Sequence, residues 1–226
     1  VQPVAFKYIP QFLTNSEWKH RHTGLMAISQ TAEGCYEQYE NHLDQIVQMI
    51  INLYNDPHPR VRYAAIHCSA QLSTDFQGIM QEKYHHLIIP SLMKGMEDPL
   101  PKVKAHAATA IVNFVEECDK QFIQPYMDRL LFLLLGLLKS GHRYCQEQSL
   151  SAISAVADCA EKLFMKYYGE FVPLLKQILQ QANGKEDRQL KARAIEAISL
   201  IGVAVGKEVF GNDARETMES LMRTQQ

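Results

Sequence analysis

Several things are scarce in this sequence, and each scarcity excludes something. The five cysteines, Cys35, Cys68, Cys118, Cys145 and Cys159, include no C-x-x-C pair. An odd, scattered set suits neither a disulfide framework nor a structural zinc site, and fits reduced thiols in a cytosolic or nuclear protein. Charge of one sign is also missing. A formal net charge of −2 over 226 residues lacks the basic excess of a general nucleic-acid binder, so no direct nucleic-acid partner is expected. The longest apolar run, Leu130 to Leu138, is nine residues. A membrane helix needs roughly 20, so the run is expected to be a buried helix and no membrane partner is expected.

Catalytic signatures are absent too. No serine sits in a nucleophile elbow, and no Cys/His pair is placed by a recognisable motif. The Gly184-Lys185 step in "NGKEDRQLK", from Asn183, lacks the second glycine and the Ser/Thr of a phosphate-binding loop. It is expected to be an exposed inter-helix loop. His85 and His86 are adjacent, and His20 and His22 are two apart, so neither pair shares a helix face for a metal. No enzyme, cofactor or metal site is expected. Period-two alternation never runs long enough for a strand, which leaves an all-α reading.

What the chain does have is a repeat. Alanine-rich segments open at Trp18, Val61, Val103, Cys145 and Leu190, spaced 43, 42, 42 and 45 residues apart. Ahead of each lies a second segment with apolar residues at i, i+3, i+4 and i+7, such as "YENHLDQIVQMIINLY" and "YMDRLLFLLLGLL". Helix pairs recurring every 40–47 residues are the mark of HEAT and armadillo arrays. The expected fold is an all-α, right-handed HEAT-repeat solenoid over 1–226, with repeats near 1–34, 35–77, 78–118, 119–164 and 165–206 and a partial unit at 207–226. The chain opens on Val1 rather than Met and is expected to be a piece of a longer protein. Pro10, Pro90, Pro125 and Pro173 fall within or at the start of the first helices, where a lost hydrogen bond bends the axis.

Two corners share one wording, "DPHPRVR" from Asp56 and "DPLPKVK" from Asp98. Pro57 and Pro99 end one helix by pushing the preceding residue out of the α region. Pro59 and Pro101 start the next, where a missing N–H costs little. Arg60, Arg62, Lys102 and Lys104 are expected to solvate these corners or to pair with Asp56 and Asp98 across neighbouring repeats. Trp18, taken as an anchor, is expected in the core, and Cys118, Cys145 and Cys159 are expected to serve as small packing residues.

The "DPxPxVR" corner, "WKHRHTGLMAI", "AIVNFVEEC", "AVADCAEKLFMKYYGEFVPLLKQIL" and "AISLIGVAVGKEVF" together resemble the karyopherin-β nuclear transport receptors, importin beta-3 branch. The resemblance covers essentially the whole chain. It implies an internal block of a longer HEAT superhelix that binds cargo localisation signals on the surface of its second helices. It also implies contact with phenylalanine-glycine nucleoporins through grooves between first helices, release by the GTPase Ran acting on the full-length receptor, and shuttling between cytoplasm and nucleus. The repeat period alone also permits a scaffold subunit of a phosphatase or other signalling assembly.

Within each second helix, offsets 0, 4, 7 or 8 and 11 from the anchor are apolar or small and form the expected buried stripe. Offsets 3, 6, 10 and 13–14 form a neighbouring polar stripe: Ala64, His67, Gln71, Thr74 and Asp75, then His106, Thr109, Asn113, Glu116 and Glu117, then Gln148, Ser151, Ala155, Asp158 and Cys159. Glu161 follows one turn later. Stacked repeats turn Asp75, Glu116 or Glu117, and Asp158 into an acidic ladder on the concave face, the usual binding face of a solenoid. A lysine-rich segment could pair with several rungs, each exposed pair contributing about 0.2–1 kcal/mol. The candidate cargo-binding residues are Gln71, Thr74, Asp75, Thr109, Asn113, Glu116, Glu117, Ser151, Asp158 and Glu161. The Asn113 amide adds a donor and an acceptor for an extended backbone.

Overall fold

Pro59 and Pro101 each occupy the first position of a helix, and Asp56 and Asp98 close the corner before it. The Asp56 carboxylate accepts the His58 N–H at 2.8 Å, and the Asp98 carboxylate accepts the Leu100 N–H at 2.9 Å. In the computed structural model, which describes residues 2–181 and 184–223, this corner recurs between paired helices with no strand among the described residues. Asn183, which opens the expected inter-helix loop, lies outside the described residues; Lys185–Asp187 forms a single 3-10 turn, and the last four residues of the expected loop, from Arg188, already belong to the next helix.

The first helices are α1 (Gln2–Leu13), α4 (Leu43–Asn52), α6 (Ile79–Met96), α9 (Met127–Leu138) and α11 (Tyr168–Gln181). Their partners are α2 (Trp18–Thr31), α5 (Pro59–Asp75), α7 (Pro101–Val115), α10 (Arg143–Ala160) and α12 (Arg188–Val205). Two short helices, α3 (Tyr36–Glu40) and α8 (Lys120–Ile123), bridge pairs, and α13 (Lys207–Arg223) follows α12. The second helices stack in order, α2 on α5, α5 on α7, α7 on α10 and α10 on α12. This is a HEAT-type solenoid. Pro10, Pro90 and Pro173 lie inside α1, α6 and α11, and Pro125 begins the turn leading into α9.

The stripe at offsets 0, 4, 7 or 8 and 11 is buried in α5, α7 and α10, with Val61, Ala65, Cys68 and Leu72 at 0% exposure in the first of these. Alanines here allow close approach of the stacked helices. Gly95 of α6 is needed for the same reason, since a Cβ there would lie 3.0 Å from the Ala107 Cβ and 3.1 Å from Ile66.

The first anchor needs correction. Second helices begin at Trp18, Pro59, Pro101, Arg143 and Arg188, which are 41, 42, 42 and 45 residues apart. Trp18 therefore matches Pro59 rather than Val61. Its large ring imitates the apolar residue that opens the other units, but it sits two positions earlier. It is half-buried, packed against the edge of the core and stacked on His58 with ring centroids 3.9 Å apart.

Candidate functional site

The face formed by the second helices begins with the joints between helix pairs. Arg21 reaches across the first joint to Asp56, Nε to Oδ2 at 2.5 Å and Nη2 to Oδ1 at 2.8 Å. Its Nη1 also donates to the carbonyls of Asn15 and Ser16 in its own corner. Arg62 repeats the arrangement one unit on, with Asp98 at 2.6 and 3.1 Å and the carbonyls of Asp56 and Pro57. The Arg62 pairing with Asp98 is the one expected between repeats; Asp56 is held by Arg21 instead of Arg60. Arg60 lies over the Trp18 ring and Lys102 over Tyr63, each 5.5 Å from the centroid. Burial raises the Asp56 pKa, but hydrogen bonds from Arg21 and the His58 N–H outweigh it and hold the carboxyl below its ordinary value.

Further along α5 and α7 the polar stripe is knitted to itself. Tyr63 stacks on His106 at 3.9 Å, and burial is the main cause that lowers the His106 pKa to about 4, so the ring is neutral. Asn113 Nδ2 donates to Thr74 Oγ1 at 3.5 Å, and Thr109 donates to Gln148 Oε1 at 2.9 Å. Gln71 Nε2 donates to Asp75 Oδ1 at 2.7 Å. Asp75 is half-buried rather than a free rung, and its Oδ2 is enclosed without a hydrogen bond. Desolvation raises its pKa, and the nearby Glu33 adds to the rise. Ala64, placed in this stripe by its offset, is fully buried.

The stripe opens between α7, α10 and α12. A groove of about 470 Å³ there brings together Glu116, Ser151, Asp158 and Glu161, four of the ten residues expected from the sequence. Val112, Val115, Ala155 and Leu200 supply an apolar floor, and Glu196 adds a fourth carboxylate, itself paired with Arg193 at 2.9 Å. Glu116 and Asp158 are exposed. Glu161 closes α10 in the left-handed region, φ 49°, and its carboxylate reaches Lys120 at 2.8 Å. Glu117 is exposed but outside the groove lining, so of the two neighbouring glutamates it is Glu116 that faces Asp158. Gln71, Thr74, Asp75, Thr109 and Asn113 lie on the earlier part of the stripe, away from this lining.

Arg193, Glu196 and Leu200 were missed, although a signal for them exists. They stand at offsets 3, 6 and 10 from Leu190, the same offsets that define the stripe in the preceding units. Cys145 is buried as expected, whereas Cys118 and Cys159 are half-buried and line the groove, because each sits at a helix end beyond the tightly stacked stripe. Among the described residues no cluster of His, Cys, Asp and Glu is arranged to hold a metal ion. His85 instead bonds Tyr126 through Nδ1 at 3.1 Å. No described helix is long and apolar enough to cross a membrane.

Comparison with known proteins adds a family to this geometry. Residues 60–226 match the family model "Importin subunit beta-1-like, TPR repeats", and residues 18–68 match a HEAT-like repeat. Importin subunit beta-3 of Saccharomyces cerevisiae is 40% identical over 221 residues, 97% of this chain and 20% of that protein. Crystalline Kap121p bound to Pho4p superposes with a TM-score of 0.92 at 39% identity, covering 98% of this chain and 21% of that one. Kap121p has also been solved with Nup53p, and as a mutant in which an aspartate, a glutamate and an aspartate, 43 and 42 residues apart, are all lysine. The chain thus spans about a fifth of the length of these relatives.

Proposed function

Since the chain belongs to the importin-β family, we propose that it is a block of a nuclear import receptor that holds basic cargo signals in the groove between α7, α10 and α12. One observation carries this reading: three carboxylates, Glu116, Asp158 and Glu161, share one open groove with an apolar floor. A lysine-rich peptide in extended form would place ammonium groups against the carboxylates and its methylene stems on Val112, Val115 and Leu200. The C-terminal ends of α7 and α10 deepen the negative potential, because their unpaired carbonyls point the same way. Asp75, Glu117 and Asp158, 42 and 41 residues apart, echo the order and spacing of the acids replaced in the Kap121p mutant, and of the three Asp158 lines the groove. On this reading Asp75 and the Gln71–Thr74–Asn113–Thr109 run set the shape of the face, while Glu116, Asp158 and Glu161 make the charge contacts.

Between first helices, Ile9, Pro10, Ile46 and Met49 line a smaller apolar recess of about 170 Å³ between α1 and α4, with His42 and Gln45 at its rim. Its size and apolar lining suit a phenylalanine side chain of a nucleoporin repeat. Ran would act on the whole receptor, which moves between cytoplasm and nucleus, and no step requires catalysis by this block. A phosphatase scaffold is not favoured, since the relatives are import receptors.

The test is titration of a fluorescent lysine-rich peptide into the protein. Replacing Glu116, Asp158 and Glu161 by lysine is expected to weaken binding by at least about tenfold, since each lost pair contributes about 0.2–1 kcal/mol and reversal adds repulsion. Unchanged affinity with a folded variant removes the groove from cargo recognition.

A further inference from the structure

We propose that Cys118 and Cys159 are a modification site: a dithiol that peroxide oxidises to a disulfide joining adjacent helix pairs. The two residues are 41 apart in sequence, at the ends of equivalent second helices, and stacking of α7 on α10 brings them together. Cys159 Sγ lies 3.1 Å from the Cys118 carbonyl oxygen, and Cys118 Sγ lies 3.5 Å from the Asp119 carbonyl. Both thiols are half-buried and both line the same groove, which gives a small oxidant access. Since the Cys159 sulfur already reaches the Cys118 backbone, closing the bond needs the two side chains to turn toward each other until the sulfurs meet in the narrow geometry of a disulfide.

The two sulfurs are not equivalent. Interaction with the Cys118 thiol pulls the Cys159 pKa down, against burial and the neighbouring Asp119, Asp158 and Glu161 carboxylates. The same interaction, with burial, pushes Cys118 up. The pairing rests on the meeting of the two residues in one groove, and the direction of the shifts favours Cys159 as the attacking thiol with Cys118 resolving it. The Cys159 thiolate attacks one peroxide oxygen and becomes a sulfenic acid as hydroxide leaves. The Cys118 sulfur then attacks the sulfenic sulfur and displaces the second oxygen as water once protonated. Two thiols and one hydrogen peroxide give one disulfide and two waters; the sulfurs supply two electrons and the O–O bond accepts them. A small dithiol reverses the step by exchange.

The remaining cysteines serve as internal controls. Cys68 and Cys145 are buried, and desolvation raises both thiols, so neither is a ready nucleophile. Cys35 is half-buried like the pair and lies in a different repeat.

The experiment treats the whole chain with one equivalent of hydrogen peroxide, blocks free thiols with N-ethylmaleimide and maps the tryptic peptides. The expected product is a Cys118–Cys159 cross-link in most of the protein, lost on treatment with dithiothreitol, with Cys35 still alkylated. In Cys118→Ser, dimedone is expected to trap Cys159 as a sulfenic acid. Peptides in which Cys118 and Cys159 remain alkylated, or in which Cys35 is oxidised first, overturn the proposal. So does Cys159 over-oxidised to sulfinic acid in the native chain without a cross-link. Peptide binding at the acidic residues is a separate measurement, so failure of one reading leaves the other standing.

Discussion

The first two joints of the solenoid and the third differ in how they are held. Between α2 and α5, and again between α5 and α7, a nearly buried aspartate receives a two-pronged arginine from the preceding unit. At the corner before α10, Ser140 stands where Asp56 and Asp98 stand, its Oγ accepting the His142 N–H as the carboxylates accept theirs. Lys104 stands where Arg62 stands, three residues into its helix. No clamp forms there. Neutral contacts cross it instead: Cys145 Sγ to the Pro101 carbonyl at 3.3 Å, and Thr109 to Gln148. The open groove begins at this same joint, whereas the polar stripe beside the clamped joints is filled by its own side-chain contacts. Sequence identity of the corner therefore marks the two clamped joints, and its loss coincides with the start of the open groove.

The comparison breaks most sharply at Asp98. Asp98→Ala leaves a half-buried guanidinium without its carboxylate, and is expected to cost about 3 kcal/mol in urea denaturation; a cost under about 1 kcal/mol would mean the clamp only decorates the joint. Acid should separate the two regions next. Asp56 has a depressed folded pKa, so its contribution is present above the ordinary carboxylate value of about 3.9 and fades as pH falls through the lower folded value. Stability followed below pH 4 should lose this step in Asp56→Asn. Installing the clamp at the third joint, with Lys104→Arg and Ser140→Asp together, should add about 1 kcal/mol; a gain from either change alone would argue against pairing. The smallest effect belongs to Asp75. Its raised pKa means that burial penalises the charged form at neutral pH, so Asp75→Asn should stay within about 0.5 kcal/mol of the parent or be slightly more stable. Asp158→Asn, by contrast, should leave stability alone and weaken peptide binding.

Much of the fold was legible because a solenoid is local. Each helix pair packs on its neighbours, so a 42-residue period and an apolar stripe suffice to name the architecture and the buried residues of α5, α7 and α10. The register failed only at Trp18, where a ring at the first helical position mimicked an anchor. The site was legible in part. Offsets placed Glu116, Ser151 and Asp158 on one stripe with Glu161 one turn later, and those four do share the groove. The same offsets treated Asp75 as equivalent to Asp158, and it is not. Asp75 is folded back onto Gln71 and shielded by the packing around it, a difference of neighbours that spacing does not encode.

By itself the sequence determined an all-α repeat, its corners, the buried stripe and the absence of catalytic or metal motifs. These follow from helical periodicity and proline stereochemistry, which act within a few residues. Only the tertiary structure decided which acids are open, which arginine takes which aspartate, and that Cys118 and Cys159 meet. Those outcomes depend on contacts between residues some forty positions apart, set by how closely one helix stacks on the next.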